Sequence, residues 1–467
     1  MHIHYIGICG ARISALAQVA AQRGHRVSGS DPADGPMAQR LRSLGVTLYR
    51  AQSAENIDRE RPDLVVYTAA IHPDNPELAR AVELGIPLAT GAEVLGRTLD
   101  EYSGPRVAVG GSHGKTTTTA MTWEVLRRGG LDPTLYVGGD YAPAGGNVFV
   151  GKTGAIVIEA CEAYDSFLEF PSDIAVVTSV EADHLDYFGT LDRVEASFRQ
   201  FIARSGFCVY CSDEPGARRV AEAAAVHRLP YGLEPYGDDC LWGEVESAQG
   251  AAETLVSVRR REPGRADRFV CRLRLIVPGI HNVRNALGAV AAGLAAGVET
   301  VPDDVLTDFR GVGRRFELLG EADGVTVIDD YAHHPSEIRA TICAARSRYP
   351  DRRLVVLFQP HLYSRTRDLM DDFAAALSEA DVILINDIYP AREAPIPGVR
   401  ASDLVKRIAA IAPEKTALFL PTHDDALEGL RWVTRPGDVA FVMGAGDVRQ
   451  IGERFLAGGA GSGDSDG

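Results

Sequence analysis

Lysine is scarce in this chain. The 467 residues hold four, Lys115, Lys152, Lys406 and Lys415, among 48 basic residues, so arginine has replaced lysine almost everywhere. Basic residues are themselves outnumbered by 64 acidic ones, and a formal charge of -16 disfavours non-specific attraction to nucleic acid or anionic lipid. Any anionic ligand must be held by a local site. Long apolar runs are also missing: none approaches the roughly 20 residues of a membrane helix. The start, Met1-His2-Ile3-His4-Tyr5, lacks the basic-then-apolar layout of a signal peptide. The expectation is a cytoplasmic protein without membrane insertion. Seven cysteines, an odd number scattered from Cys9 to Cys343, make no disulfide framework. Cys208-Val209-Tyr210-Cys211 has redox or zinc spacing, but in a strand-like run residues three apart face opposite sides, so structural cysteines are expected.

What is present is a composition with 45% hydrophobic and 24% charged residues, that of a globular chain long enough for about three domains. Short apolar runs at His4 to Ile8, Val27 to Asp31 and Leu64 to Thr68 alternate with helical stretches such as Ile13 to Arg23, a βαβ rhythm that predicts a parallel sheet over residues 1–103. A new strand, Arg106 to Gly110, opens a middle region over 104–313. It has further strands at Ala155 to Glu159 and Ile174 to Val180, and an Arg-rich stretch from Tyr236 to Arg268 that reads as antiparallel strands and loops. Alternation resumes at Val325 to Asp329, Leu354 to Phe358, Val382 to Asn386, Ala417 to Leu420 and Val439 to Met443, predicting a third α/β domain over 314–457. The tail 458–467, nearly all Gly, Ser, Ala and Asp, has nothing to bury and is expected to be disordered.

The chemistry starts at Gly111-Ser112-His113-Gly114-Lys115-Thr116-Thr117, between that strand and a helix predicted over Thr116 to Arg128. Such a turn points backbone N–H groups and a helix N-terminus at phosphate oxygens, with Lys115 reaching the terminal phosphates and Thr116 a magnesium ion. The glycine that the general phosphate-loop pattern puts five residues before Gly114 is Val109 here. A compact ammonium retained in so lysine-poor a chain implies that the position needs one. Gly151-Lys152-Thr153 precedes a strand, and reads as a solvated turn. Glu159 ends one strand, and Glu181-Ala182-Asp183-His184 follows another; ligands gather at the carboxyl ends of strands in open α/β sheets, so Glu159 and His184 are expected to join Thr116 as metal ligands.

Taken with His281-Asn282-Val283-Arg284-Asn285-Ala286, Arg314-Arg315-Phe316-Glu317, Asp329-Asp330-Tyr331-Ala332-His333-His334-Pro335 and Gln359-Pro360-His361, these motifs resemble those of the Mur ligases, from about residue 3 to 455. The similarity is greatest to the alanine-adding branch. It implies a Rossmann-like nucleotide-sugar domain, a central P-loop-type ATPase domain and a C-terminal Rossmann-like domain that closes over them. It implies an ATP- and Mg2+-dependent ligase that phosphorylates the carboxylate of UDP-N-acetylmuramate and couples L-alanine through the acyl phosphate, in a monomer or homodimer. By that analogy Lys115, His184 and Arg315 are catalytic, and Asn282, Asn285, Arg315 and Asp330 join the phosphate loop in holding ATP. Gly7, Gly10, Arg12, Ser14, Asp31 and Thr68 would meet the UDP-sugar, and Tyr331, His334 and Arg365 the amino acid. Arg suits a carboxylate because its fork binds both oxygens. Pro335 also suits a first helical position. Some Mur ligases carry a carbamoylated lysine soon after the equivalent of His184; no lysine lies between Lys152 and Lys406, so that device is absent. Asp183 or water is left to take the amine proton, and the loop around Glu393 has no assigned role.

The chain departs from the pattern in its first turn, Gly7-Ile8-Cys9-Gly10-Ala11-Arg12, where Cys9 and Arg12 stand at customary glycine positions. The dinucleotide fingerprint fails at the same two places, which disfavours an NAD-dependent oxidoreductase. Cys9 resembles the murein-recycling relative that adds a tripeptide, the alternative acceptor reading. Asp165-Ser166-Phe167-Leu168 and Gln359-Pro360-His361 favour alanine. Cys161 and Leu362 stand where Asp and a basic residue are common, and keep open a nucleotide-binding protein without catalysis. Arg12 would support the UDP pyrophosphate or sit on the surface of the first helical turn. An Arg12→Ala enzyme with an unchanged KM for the UDP-sugar would remove the first role.

Overall fold

A computed structural model describes residues 1–68, 71–246, 252–391 and 393–459, although nothing is described of the side chains of Ala11, Arg12 and Asp186. The chain divides into two compact units, Met1–Glu244 with Ser257–Leu273 and Arg284–Leu306, and Val245–Val256 with Arg274–Val283 and Thr307–Gly467.

The first unit begins with a five-stranded sheet in the order Thr47–Tyr49, Arg26–Ser30, His2–Ile6, Leu64–Tyr67, Leu88–Thr90, every pair parallel. Strand order reverses between His2–Ile6 and Leu64–Tyr67, and the crevice there is the ligand position of a doubly wound sheet. Gly7 leaves the first of these strands at φ +74, with Thr68 at the end of the second close enough that a β-carbon on Gly7 would touch its methyl at 3.7 Å. Helix Ala11–Gln22 follows the turn.

A ten-stranded sheet runs in the order Arg268–Leu275, Thr254–Arg261, Cys240–Val245, His227–Gly232, Phe207–Cys211, Ile174–Val177, Arg106–Gly110, Ile156–Glu159, Thr134–Tyr141, Gly146–Phe149. Its middle strands are parallel and buried except at some of their ends, as their near-continuous apolar sequences require. The outermost pair on one side, Thr134–Tyr141 with Gly146–Phe149, is an antiparallel hairpin not expected from the sequence. Beneath the sheet Phe167 stacks on Phe201 with ring centres 4.7 Å apart and meets Phe198 edge-on. Cys208 and Cys211 are buried free thiols pushed up to about 12 by burial, which fits structural cysteines rather than a redox pair.

The second unit holds a six-stranded sheet in the order Glu317–Ala322, Val325–Asp330, Val439–Met443, Leu354–Phe358, Val382–Ile385, Thr416–Phe419. The five strands expected from sequence are parallel. Glu317–Ala322 was not expected, and joins antiparallel with an irregularity between Leu318 and Gly320. Gly458 and Gly459, expected in a disordered tail, finish helix Arg449–Gly459, and the rest of that stretch, 460–467, lies outside the described residues. No helix among the described residues is long and apolar enough to cross a membrane.

Candidate active site

The phosphate loop occupies the turn between strand Arg106–Gly110 and helix Lys115–Arg128. Gly111 at φ +143 and Gly114 at φ +78 take conformations that L side chains rarely adopt, and a β-carbon on Gly114 would lie 2.6 Å from Asn285 Oδ1. Gly114 has no side chain to cap the helix, so the first-turn N–H groups are not consumed by a protein cap. The neighbouring strand end holds the loop: Ser112 N–H donates to Ser179 O at 2.9 Å, His113 N–H to Ser179 Oγ at 2.9 Å, and Glu181 N–H to Ser112 Oγ at 2.8 Å. Thr116 and Thr117 are buried in the first helical turn. Asn285, expected at the nucleotide base, accepts from Thr118 Oγ1 at 3.2 Å and so buttresses the loop.

Lys115 folds back on its own turn. Its Nζ donates to Gly111 O and to Ser112 O, the latter at 3.0 Å, and pairs with Glu162 at 3.0 Å. Burial acts to lower its basicity, but Glu162, then Cys161 and Glu159, outweigh burial and raise the ammonium above its usual range. Glu162, three residues beyond Glu159, was not among the expected site residues. It is 1% exposed, and its carboxylate lies with Asp183 and His184 so that one ligand atom from each falls within 4.8 Å of the others. Two hard carboxylate oxygens and an imidazole form a donor set that fits a divalent cation. Glu159, the acid expected there, is instead held by Gly138 N–H on Oε2 at 2.6 Å. His184 starts a short helix at φ 52, a strained conformation for a non-glycine residue, steadied as its N–H donates to Asp183 Oδ1 at 2.8 Å. Behind Glu162 the chain turns through Tyr164 and Asp165, both at φ 56. Asp165 is anchored by the hydroxyls of Tyr187, at 2.8 Å, and Ser197.

In the crevice of the first sheet, Asp31 accepts Cys9 N–H on one oxygen and Ala33 N–H on the other, each at 2.9 Å, so it shapes the glycine turn. Gly10 N–H donates to Gly7 O at 3.1 Å. Ser14 is fully buried, its hydroxyl accepting from Asn147 Nδ2 at 3.1 Å, which is a packing place rather than a ligand-facing one. The Arg12 side chain lies outside what is described.

Within the second unit, the guanidinium groups of Arg314 and Arg315 sit 4.8 and 5.0 Å from the centre of the Tyr331 ring. Arg314 also bonds Gly444 O at 2.7 Å and pairs with Asp329 at 3.3 Å, whereas Arg315 reaches Glu337 only at 3.8 Å. Asp330 accepts Phe316 N–H and Ala332 N–H, both at 2.8 Å. Burial pushes its carboxyl up to about 6 against the opposing pull of Arg315 and these two bonds. A carboxyl raised in the folded state binds its proton more tightly there than in the unfolded chain, so this group's contribution to stability is largest below about pH 4 and is lost as pH rises through about 6. The full loss is about 3 kcal/mol at most, and Asp330→Asn should flatten the fall in Tm between about pH 4 and 6. An unchanged slope would show that another group titrates there. Asn282 donates Nδ2 to Pro278 O at 2.7 Å.

His334 caps helix Pro335–Arg348 by accepting Ser336 N–H at 3.4 Å, with Pro335 in the first turn as expected. His333 Nδ1 meets Tyr331 O at 2.9 Å, and its ring lies 6.0 Å from that of His361, which stacks on Tyr389. Arg365 is buried in helix Tyr363–Asp368. The unassigned Glu393 holds that helix, accepting Ser364 N–H at 2.9 Å and the Ser364 hydroxyl.

Three family models cover most of the chain: the Mur ligase family catalytic domain over 2–103, the Mur ligase middle domain over 109–293, and the Mur ligase glutamate ligase domain over 314–446. The chain is 42% identical to UDP-N-acetylmuramate--L-alanine ligase of Caldanaerobacter subterraneus, covering 97% of each, and 43% identical to the Sorangium cellulosum enzyme of that name, covering 96% of this chain and 94% of the relative. The solved UDP-N-acetylmuramate-alanine ligase of Thermotoga maritima is 29% identical over 98% of both chains, with a TM-score of 0.80. A murein peptide ligase from Psychrobacter arcticus is 25% identical over 100% of both, with a TM-score of 0.72. With its phosphate loop, the Glu162, Asp183 and His184 cluster and all three domains present, this chain belongs to the Mur ligase family.

Proposed function

We propose that the protein joins L-alanine to the lactyl carboxylate of UDP-N-acetylmuramate at the expense of ATP, in the cytoplasmic stage of peptidoglycan synthesis. The observation that carries this reading is the buried Lys115 in an uncapped helix-start loop, beside acids suited to a divalent cation, in a chain so close to alanine-adding relatives over its whole length.

A carboxylate oxygen attacks the γ-phosphorus of ATP, ADP leaves, and the acyl phosphate loses phosphate after the amine of alanine adds to its carbonyl carbon. The first step brings two anions together. At 4 Å and an effective dielectric of 20, each unlike-charge contact supplied there is worth about 4 kcal/mol, so a fixed ammonium changes the barrier substantially. Lys115 and the helix N-terminus are assigned to the transferring phosphate, and Thr116, Glu162, Asp183 and His184 would hold Mg2+, which when bound neutralises phosphate charge. Arg315, over the Tyr331 ring with Glu337 at 3.8 Å, is presented as a cation for an anionic group. Arg365 and His334 are assigned to alanine.

Phosphate release measured over a panel of amine acceptors, with UDP-N-acetylmuramate and ATP fixed, tests the assignment. L-alanine should give the highest kcat/KM, and a methyl group less or more should cost roughly 10-fold or more. Preference for a tripeptide would transfer the chain to the murein-recycling reading. Glu393→Ala should raise the KM for L-alanine several-fold through the loosened Arg365 helix and leave the KM for ATP alone; equal changes in both would detach Glu393 from the amino-acid site.

A further inference from the structure

The antiparallel hairpin Thr134–Tyr141 with Gly146–Phe149 makes a polar contact from each of its two strands. From one, Gly138 N–H donates to Glu159, whose charge is felt by Lys115 at the phosphate loop. From the other, Asn147 reaches the first helix: its Nδ2 donates to Ser14 Oγ at 3.1 Å and its Oδ1 accepts from Gln18 Nε2 at 2.9 Å. Gln18 Nε2 also donates to the Ser14 backbone carbonyl at 3.2 Å, closing a ring of three residues, of which Ser14 and Gln18 are fully buried and Asn147 is 3% exposed. A buried amide bonded on both its edges fixes orientation, since rotating or sliding either element leaves polar groups unpaired away from water.

Ser14 lies one turn into the helix that the glycine turn opens, its own N–H donating to Gly10 O at 2.8 Å. The helix carrying the nucleotide-sugar turn and the sheet carrying the phosphate loop share an apolar core, and within it the polar link between them runs through one side chain on the hairpin. We infer that Asn147 is a positioning residue that sets the glycine turn in register with the ATP-binding sheet, so that the acceptor carboxylate is presented to the phosphate loop. This inference rests on the proposed reaction for its kinetic consequence, and on the geometry alone for its structural one.

Ser14→Ala and Asn147→Ala should each lower kcat/KM for UDP-N-acetylmuramate by about ten-fold, with the KM for ATP changed less than two-fold. The double variant should lose little beyond either single one, because both substitutions open the same ring. Multiplicative losses, no loss, or an equal rise in the KM for ATP would overturn the inference. Ser14→Ala removes a single hydroxyl and keeps the arm readable if Asn147→Ala does not fold. Hydrogen exchange needs no substrate: Ser14→Ala should speed exchange in helix Ala11–Gln22 and in strand Gly146–Phe149 alike, and acceleration confined to the helix would overturn the pinning. If the unaltered protein fails to release phosphate with these substrates, the proposed reaction falls, and the exchange experiment still decides the register.

Discussion

Lys115→Ala should reduce phosphate release by about 10³-fold or more while the protein stays folded. The side chain lies against the carbonyls of Gly111 and Ser112 at the start of a helix, where its only carboxylate contact shown is Glu162, so its removal takes away the cation nearest the transferring group. The loop keeps its shape through bonds from Ser179, Glu181 and Asn285 that do not involve the lysine, while Glu162 loses its buried countercharge, so stability should fall by the roughly 3 to 5 kcal/mol of a one-sided break without abolishing the fold. Turnover measured beside a thermal melt separates the two effects. Near-normal turnover in a folded variant would refute the role given to this lysine.

Glu162→Gln is expected to have the second largest effect, a fall in kcat of about 10²- to 10³-fold and a higher Mg2+ requirement. The amide keeps the shape and removes the charge that both Lys115 and a cation would share. It also leaves Lys115 buried without its countercharge, which costs roughly 3 to 5 kcal/mol when a buried pair is broken on one side. A Lys115→Met, Glu162→Gln double variant should regain much of that stability and none of the turnover. Glu159→Gln is the control: held on Gly138 N–H, Glu159 should matter several-fold at most. If Glu159→Gln proves the more damaging for Mg2+ dependence, the ligand passes back to Glu159.

Much of the fold was legible because parallel strands buried on both faces write themselves as apolar runs, as at Arg106–Gly110, Leu354–Phe358 and Val439–Met443. The missed elements lack that signature. In the hairpin, Gly138-Gly139 and Gly145-Gly146 read as loop, and Glu317–Ala322 exposes Leu318 and carries Gly320 at its irregularity. The phosphate loop was readable because its chemistry is contiguous. Glu159 is marked by its place at a strand end, whereas Glu162 lies beyond it and the left-handed pair Tyr164 and Asp165 that shapes the following turn has no sequence signal. The packing of Ser14 is equally hidden, at longer range. Its partner Asn147 is 133 residues away, and no local pattern reveals it.

The parked state of Lys115 also determines how the protein meets amine-directed reagents. Acylation needs a free, unprotonated amine, and this ammonium is buried, paired with Glu162 and held more basic than usual. Of the other three lysines, Lys152 and Lys406 are exposed and Lys415 half-buried. Among the lysines, covalent labelling or immobilisation through amines therefore falls on three side chains remote in sequence from the phosphate loop, leaving the lysine of that loop as the one that the chemistry spares.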